Sequence, residues 1–124
     1  MVDKSLVGDP LLSTDDRLPT ELWLKAHLRR CNAEGTPVAV LRRGDPIGGM
    51  VLLKINRLEQ GCALLSQTRD PSGRPAWLQA LAGALVPETE ADAYIARAVK
   101  RDPDLWVIEI ESRGGEHPFE GRIL

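Results

Sequence analysis

Aromatic residues are scarce in this chain, with three tryptophans, one tyrosine and one phenylalanine among 124 residues. A core must therefore be filled with aliphatics and alanine, and Trp23, Trp77 and Trp106 are expected to carry most of the aromatic packing. Cysteine is scarcer still. Cys31 and Cys62 form no CxxC pair and have no histidine at a zinc-ligand spacing, so buried free thiols are expected, with a single disulfide as the alternative. Long apolar runs are also missing. None approaches the roughly 20 residues of a membrane-spanning helix, and the opening MVDKSLVGDPLLSTDD is acidic and interrupted where a signal peptide is basic and then apolar. The expected location is the cytoplasm, with no membrane partner. Catalytic signatures are lacking too: His27 and His117 have no recognisable nucleophile partner and no GxSxG or Cys-His pattern occurs. No catalytic residue is assigned, and no cofactor is expected.

What is present describes an ordinary soluble globule, 43% hydrophobic and 27% charged, of a length that suits one domain. The net charge of −2 conceals an asymmetry. Residues 1–24 carry 2 basic and 5 acidic side chains, residues 25–74 carry 9 and 4, and residues 75–124 carry 5 and 9. A basic middle between acidic ends either faces an anionic partner or is neutralised across the fold or between subunits, and neutralisation is the preferred reading.

The pattern along the chain predicts a tail over 1–16, one domain over 17–118 and a second tail over 119–124. In LPTELWLKAHLRRCNAEG, Thr20 can cap a helix that buries Leu24, Leu28 and Cys31 and ends at Gly35. ELWL equally suits a short strand over 21–24 followed by a helix from 25. TPVAVLRR, GMVLLKINRL and CALLSQ then read as successive strands, the second apolar on both faces as in a central strand. AWLQAL is expected as a fourth strand. PETEADAYIARAVKR is the clearest helix, with Ala91, Ile95, Ala98 and Val99 on one side, a capping-box-like Thr89 and Asp92, acids first and bases last. LWVIEIES is a strand that sets Trp106, Ile108 and Ile110 against Val107, Glu109 and Glu111. The expected fold is α+β: a mainly antiparallel sheet of four to five strands, a meander in its middle, with two helices packed on one face.

LRRGDPIGG carries an Arg-Gly-Asp triplet and three glycines. An adhesion role needs an extracellular protein, and a phosphate cradle needs a GxxxxGK[ST] or GxGxxG spacing followed by a helix; both readings fail on context. A hairpin turn accounts for every residue, with Asp45 bonding back to the backbone, Pro46 at a corner, and Gly44, Gly48 and Gly49 supplying positive φ or a bulge.

Two other groups carry possible chemistry. Asp104, Glu109 and Glu111 are carboxylates suited to a divalent metal, but the lysine usual in a nuclease-like site is missing and a solvated strand face paired with Lys54 or Arg57 is the simpler reading. Arg42, Arg43 and Arg57 with Trp77 suit phosphate contact and base stacking, although no RNP, KH or zinc-finger pattern occurs.

RLPTELWLKAHLRRC, LRRGDPIGG and DPDLWVIEIES, in this order and spacing, resemble the small alphaproteobacterial proteins grouped as domain of unknown function family 1491. The resemblance covers about residues 17–118 and implies a bacterial intracellular domain; the family defines no catalytic or binding residue to carry over. The leading expectation for function is a non-enzymatic binding or regulatory module, with self-association through a sheet edge or opposite charges and Arg42, Arg43, Arg57 and Trp77 as contact surface. Nucleic-acid or nucleotide binding through the basic middle is second. A metal-dependent hydrolase built on Asp104, Glu109 and Glu111 is third.

Overall fold

The first helix, α1, spans Thr20–Glu34 and buries Trp23, Leu24, His27 and Cys31. Those positions make one helical stripe, whereas a strand would send Trp23 and Leu24 to opposite faces. Residues 21–24 are therefore helix. Gly35 ends α1 at φ 76°, in the left-handed region where glycine carries no steric penalty. The second helix, α2, spans Glu88–Arg101, buries Ala91 and Ala98, and has Glu88 and Glu90 in its first turn and Lys100 and Arg101 in its last. The expected side-chain caps do not form. Pro19 and Pro87 occupy the N-cap positions; Thr20 and Asp92 bond elsewhere. This computed structural model describes residues 18–124, so the expected N-terminal tail over 1–16 lies outside the described residues.

Six strands form one sheet among the described residues: β1 (Val38–Arg42), β2 (Val51–Asn56), β3 (Cys62–Arg69), β4 (Pro75–Gln79), β5 (Trp106–Glu111) and β6 (Arg122–Ile123). Their spatial order is β1-β5-β2-β3-β4-β6. The β2-β3-β4 run is an antiparallel meander, as its short connections require. The remainder departs from the expected sheet. β5 enters between β1 and β2, antiparallel to the first and parallel to the second, and β6 runs parallel to β4. The sheet is mixed and has one strand more than expected.

Burial explains the insertion. Trp106, Val107, Ile108 and Ile110 are each no more than 3% exposed, so β5 needs a neighbour on each side and cover on each face. β1 leaves Val40 and Leu41 41% and 46% exposed and accepts the edge. Strands adjacent in sequence usually pair, but here the more apolar strand displaces the earlier one.

The helices also divide between the faces rather than sharing one. Under α1, Trp23, Leu24 and Cys31 meet Val51, Leu53, Ile55, Trp106, Ile108 and Ile110. Under α2, Ala91 and Ala98 meet Leu52, Leu64 and Val107. A strand apolar on both sides, as β2 is, demands this arrangement. All three tryptophans are buried and both thiols are free and buried, as expected. The C-terminal residues expected as a tail fold back instead: Phe119 is 4% exposed in the α1-side core and β6 extends the sheet. No helix among the described residues is long and apolar enough to cross a membrane.

Candidate functional site

The GDPIGG segment is not a hairpin turn, because β1 and β2 are not neighbours. Residues 43–50 arch across the start of β5 to connect them. Asp45 N–H donates to the Asp104 carbonyl at 3.0 Å and the Trp106 indole Nε1–H donates to the Asp45 carbonyl at 2.8 Å. The Asp45 carboxylate accepts the Ile47 and Gly48 amides at 3.2 and 2.8 Å, the backbone return expected of an aspartate there. The arch also caps α1: the Thr20 and Glu21 amides donate to the Ile47 and Pro46 carbonyls, and the Thr20 hydroxyl donates to the Gly49 carbonyl at 2.8 Å. Helix N–H groups that would otherwise lack partners are satisfied by the arch rather than by a side chain.

The glycines serve proximity, not turn conformation. None of Gly44, Gly48 and Gly49 has a positive φ. A Cβ on Gly44 or Gly49 would stand 2.2 or 2.4 Å from the Asp104 carbonyl oxygen, while one on Gly48 would meet nothing nearer than 4.0 Å.

Beside the arch lies the free edge of β1. The Pro37 carbonyl accepts the Glu111 amide, so alternation turns the main-chain groups of Val38 and Val40 away from β5. Val40, Leu41, Ile47 and Met50 are exposed along this edge and arch, Ile47 by 69%. The two arginines at its end turn back onto their own fold. Arg42 donates to the Leu105 carbonyl at 2.7 Å, and Arg43 pairs with Glu21 at 2.7 Å with its guanidinium 5.4 Å from the Trp106 ring centroid.

The other residues expected at a contact surface are elsewhere. Arg57 follows β2 at the opposite end of the sheet and holds the Arg113 carbonyl at 3.0 Å. Trp77 is fully buried, its indole N–H donating to the Glu120 carbonyl at 3.0 Å, and so presents no face for base stacking. The four residues do not form one surface.

The carboxylates separate as well. Asp104 precedes β5 and anchors the arch, Glu111 is exposed at the far end of β5, and Glu109 accepts the Asn56 amide at 2.9 Å and faces Lys54 at 3.8 Å. Among the described residues no group of three or more His, Cys, Asp or Glu side chains is placed to hold a metal ion.

Lys54 is the feature that the sequence showed only in part. Cross-strand pairing with the β5 carboxylates was legible from strand alternation; the contribution of α2 was not. Lys54 is 3% exposed and donates to Glu88 at 2.7 Å and Asp92 at 2.8 Å, beside Glu109. Burial works against its charge, but the hydrogen bonds to Asp92 and Glu88 and the field of Glu109 outweigh it and raise the pKa above the usual lysine value. The cluster fastens the N-terminal end of α2 to the sheet. Lys54→Met is expected to cost less than about 1 kcal/mol, because the apolar replacement leaves Glu88 and Asp92 open to water and leaves the less exposed Glu109 with the Asn56 side-chain amide as its donor. The Glu88→Ala/Asp92→Ala double variant is expected to cost about 3 kcal/mol, since it leaves a buried ammonium without its two hydrogen-bonded carboxylates and with only Glu109 at 3.8 Å. Urea denaturation of the two variants reads this asymmetry, and equal losses would contradict it.

A second polar arrangement lies under the C-terminal segment. Glu120 N–H donates to His27 Nε2 at 3.2 Å, Arg30 donates to the Pro118 carbonyl, and Phe119 sits edge-on to His27 and Trp23. His27 is wholly buried and its Nδ1 has no hydrogen-bond partner among the described residues. Burial first, then the positive charge of Arg30 and the nearby His117, lower its pKa to about 4. Burial likewise raises the pKa of Cys31 and Cys62, which keeps both thiols protonated and unreactive.

The family model described as a protein of unknown function, DUF1491, matches residues 18–120. A crystal structure of a DUF1491 family protein from Caulobacter crescentus is 35% identical, with a TM-score of 0.73, covering 87% of this chain and 98% of that one. An NMR structure of a DUF1491 family protein from the same organism is 36% identical, with a TM-score of 0.72 and coverage of 87% and 97%. The solution structure of a protein from A. tumefaciens is 25% identical, with a TM-score of 0.65 and coverage of 85% and 96%. No curated protein matches the chain.

Proposed function

We propose, from the premise that the chain belongs to the DUF1491 family, that it is a non-enzymatic binding module that works as a homodimer joined through the β1 edge. The carrying observation is that edge: outward main-chain groups at Val38 and Val40, with no covering strand among the described residues, beside exposed Val40 and Leu41. Edge strands of this kind are usually blunted by charge, proline or a covering element, and those that are not are templates for another strand.

A second copy suits the edge because the strand is complementary to itself in antiparallel register. Antiparallel pairing centred on Ala39 sets Val38 opposite the second copy's Val40, so the outward main-chain groups of each strand meet those of the other and the exposed Val40 side chains flank the seam. The relatives from Caulobacter crescentus and A. tumefaciens support an alphaproteobacterial origin, and two buried reduced thiols suit the cytoplasm.

Sedimentation velocity tests the reading. The intact chain should sediment as a dimer at tens of micromolar, and Val40→Lys, which places a charge on the edge while removing a side chain already 41% exposed, should sediment as a folded monomer. A monomer in both cases would end the proposal.

A further inference from the structure

Between the C-terminal half of α2 and the sheet is a cavity of about 230 Å³. Its apolar lining comes from Leu52, Ala98 and Leu105, with Met50 at the rim. The small Ala98 side chain leaves the space open where α2 passes the end of β3. The polar groups at the wall are Ser66, Gln67, Tyr94, Arg101 and Asp102. The Gln67 side-chain oxygen Oε1 accepts the Val51 amide at 3.1 Å. Arg101 and Asp102 are different: they carry opposite charges, line the same cavity, and neither forms an ion pair among the described residues. Asp102 uses one oxygen on the Asp104 amide at 3.1 Å.

An apolar floor rules against a fully hydrated ion, and adjacent opposite charges rule against a simple acid or amine. A simple acid would meet Asp102 with like charge. A simple amine would make no use of Arg101, which is otherwise exposed to water. Both are satisfied by a molecule that carries a carboxylate and an ammonium close together on an apolar body. The last turn of α2 favours the ammonium, because its final carbonyls lack intrahelical partners and carry the negative end of the helix dipole. Arg101 offers the planar pair of donors that a carboxylate accepts.

We propose that this cavity binds an α-amino acid with an apolar side chain. Arg101 holds the carboxylate, Asp102 and the end of α2 hold the ammonium, and the side chain lies against Leu52 and Leu105. Ser66 and Tyr94 supply hydroxyls along the wall. The volume suits a single small amphipathic molecule rather than a nucleotide, whose sites are commonly several hundred Å³ or more. The site is on the α2 side and is independent of the β1 edge.

Isothermal titration calorimetry of the full chain with L-leucine is the test, run beside 4-methylpentanoate, which lacks the ammonium, and 3-methylbutylamine, which lacks the carboxylate. Leucine should bind, and each analogue should bind about ten-fold or more weakly, since each lacks one of the two charge-assisted contacts. Arg101→Ala and Asp102→Asn should each lose about ten-fold for leucine while keeping the unliganded melting temperature. Amide shifts at Ser66, Ala98 and Leu105 on leucine addition should locate the site, and Val40→Lys should bind leucine unchanged. Absence of leucine binding, equal binding of either analogue, or unaltered binding by both cavity variants would overturn the proposal.

Discussion

Gly49→Ala is expected to lower stability by about 3 kcal/mol, and Gly44→Ala by at least as much, with falls in melting temperature of more than about 10 °C. A methyl group at either position would lie within 2.4 Å of the Asp104 carbonyl oxygen and within 2.9 Å of the Trp106 ring. That carbonyl is backbone at the mouth of the central strand β5, so it cannot rotate away. Moving it would break the Asp45 amide bond that holds the arch, and would disturb the carbonyls that cap α1. Gly48→Ala is the internal control. Its Cβ meets open space and its φ is not positive, so alanine there is expected to be neutral or to stabilise by about 0.5 kcal/mol through the unfolded chain. Thermal denaturation of the three variants distinguishes close approach from turn geometry. Similar losses at all three positions would show that the glycines serve the arch's conformation instead.

These three glycines also show where sequence reasoning reached its limit. GDPIGG reads as a turn on its composition, and Asp45 does bond back to the backbone as such a turn requires. What composition does not reveal is which strand lies beneath. That depends on the competition between β1 and β5 for a central place, decided by Trp106, Val107, Ile108 and Ile110 being apolar in nearly continuous run. The apolar run was legible; its consequence for β1 was not, because pairing of sequential strands is the stronger local expectation. The same holds for Lys54. A lysine inside VLLKIN and a glutamate on β5 suggested a cross-strand pair, yet Glu88 and Asp92 arrive from a helix whose face assignment required the sheet order. Trp77 failed as a contact residue for a plainer reason: in a chain this poor in aromatics, a tryptophan on a strand goes to the core.

Acidification is expected to cost about 3 kcal/mol between pH 6.5 and pH 4 through His27 alone. Its pKa is about 4 in the folded chain, against an ordinary value of 6.5. In that interval the unfolded chain binds the proton and the folded chain does not, so stability falls as pH falls. The full contribution is present above 6.5 and is lost as pH descends to the folded value, at about 1.4 kcal/mol per unit at most. Protonation would place a donor on Nε2 where Glu120 N–H already donates, next to Arg30 and His117 and beneath Phe119. His117, whose own pKa is lowered by burial, adds a smaller loss of the same sign. His27→Gln keeps an acceptor for the Glu120 amide and removes the proton site. Its stability measured by urea denaturation should vary much less over this range than that of the native chain, and an unchanged pH slope would show that other groups carry it.

The functional account stands on one strand edge, and amide hydrogen exchange at β1 interrogates it residue by residue. Ala39 turns its amide to β5 within the subunit and should be protected at every protein concentration. Val38 and Val40 turn theirs outward, so their exchange should slow as concentration rises through the dimerisation range and should be fast in Val40→Lys. Fast exchange at Val38 and Val40 at all concentrations, with Ala39 protected throughout, would mean that the edge stays open to water and that the dimer does not form there.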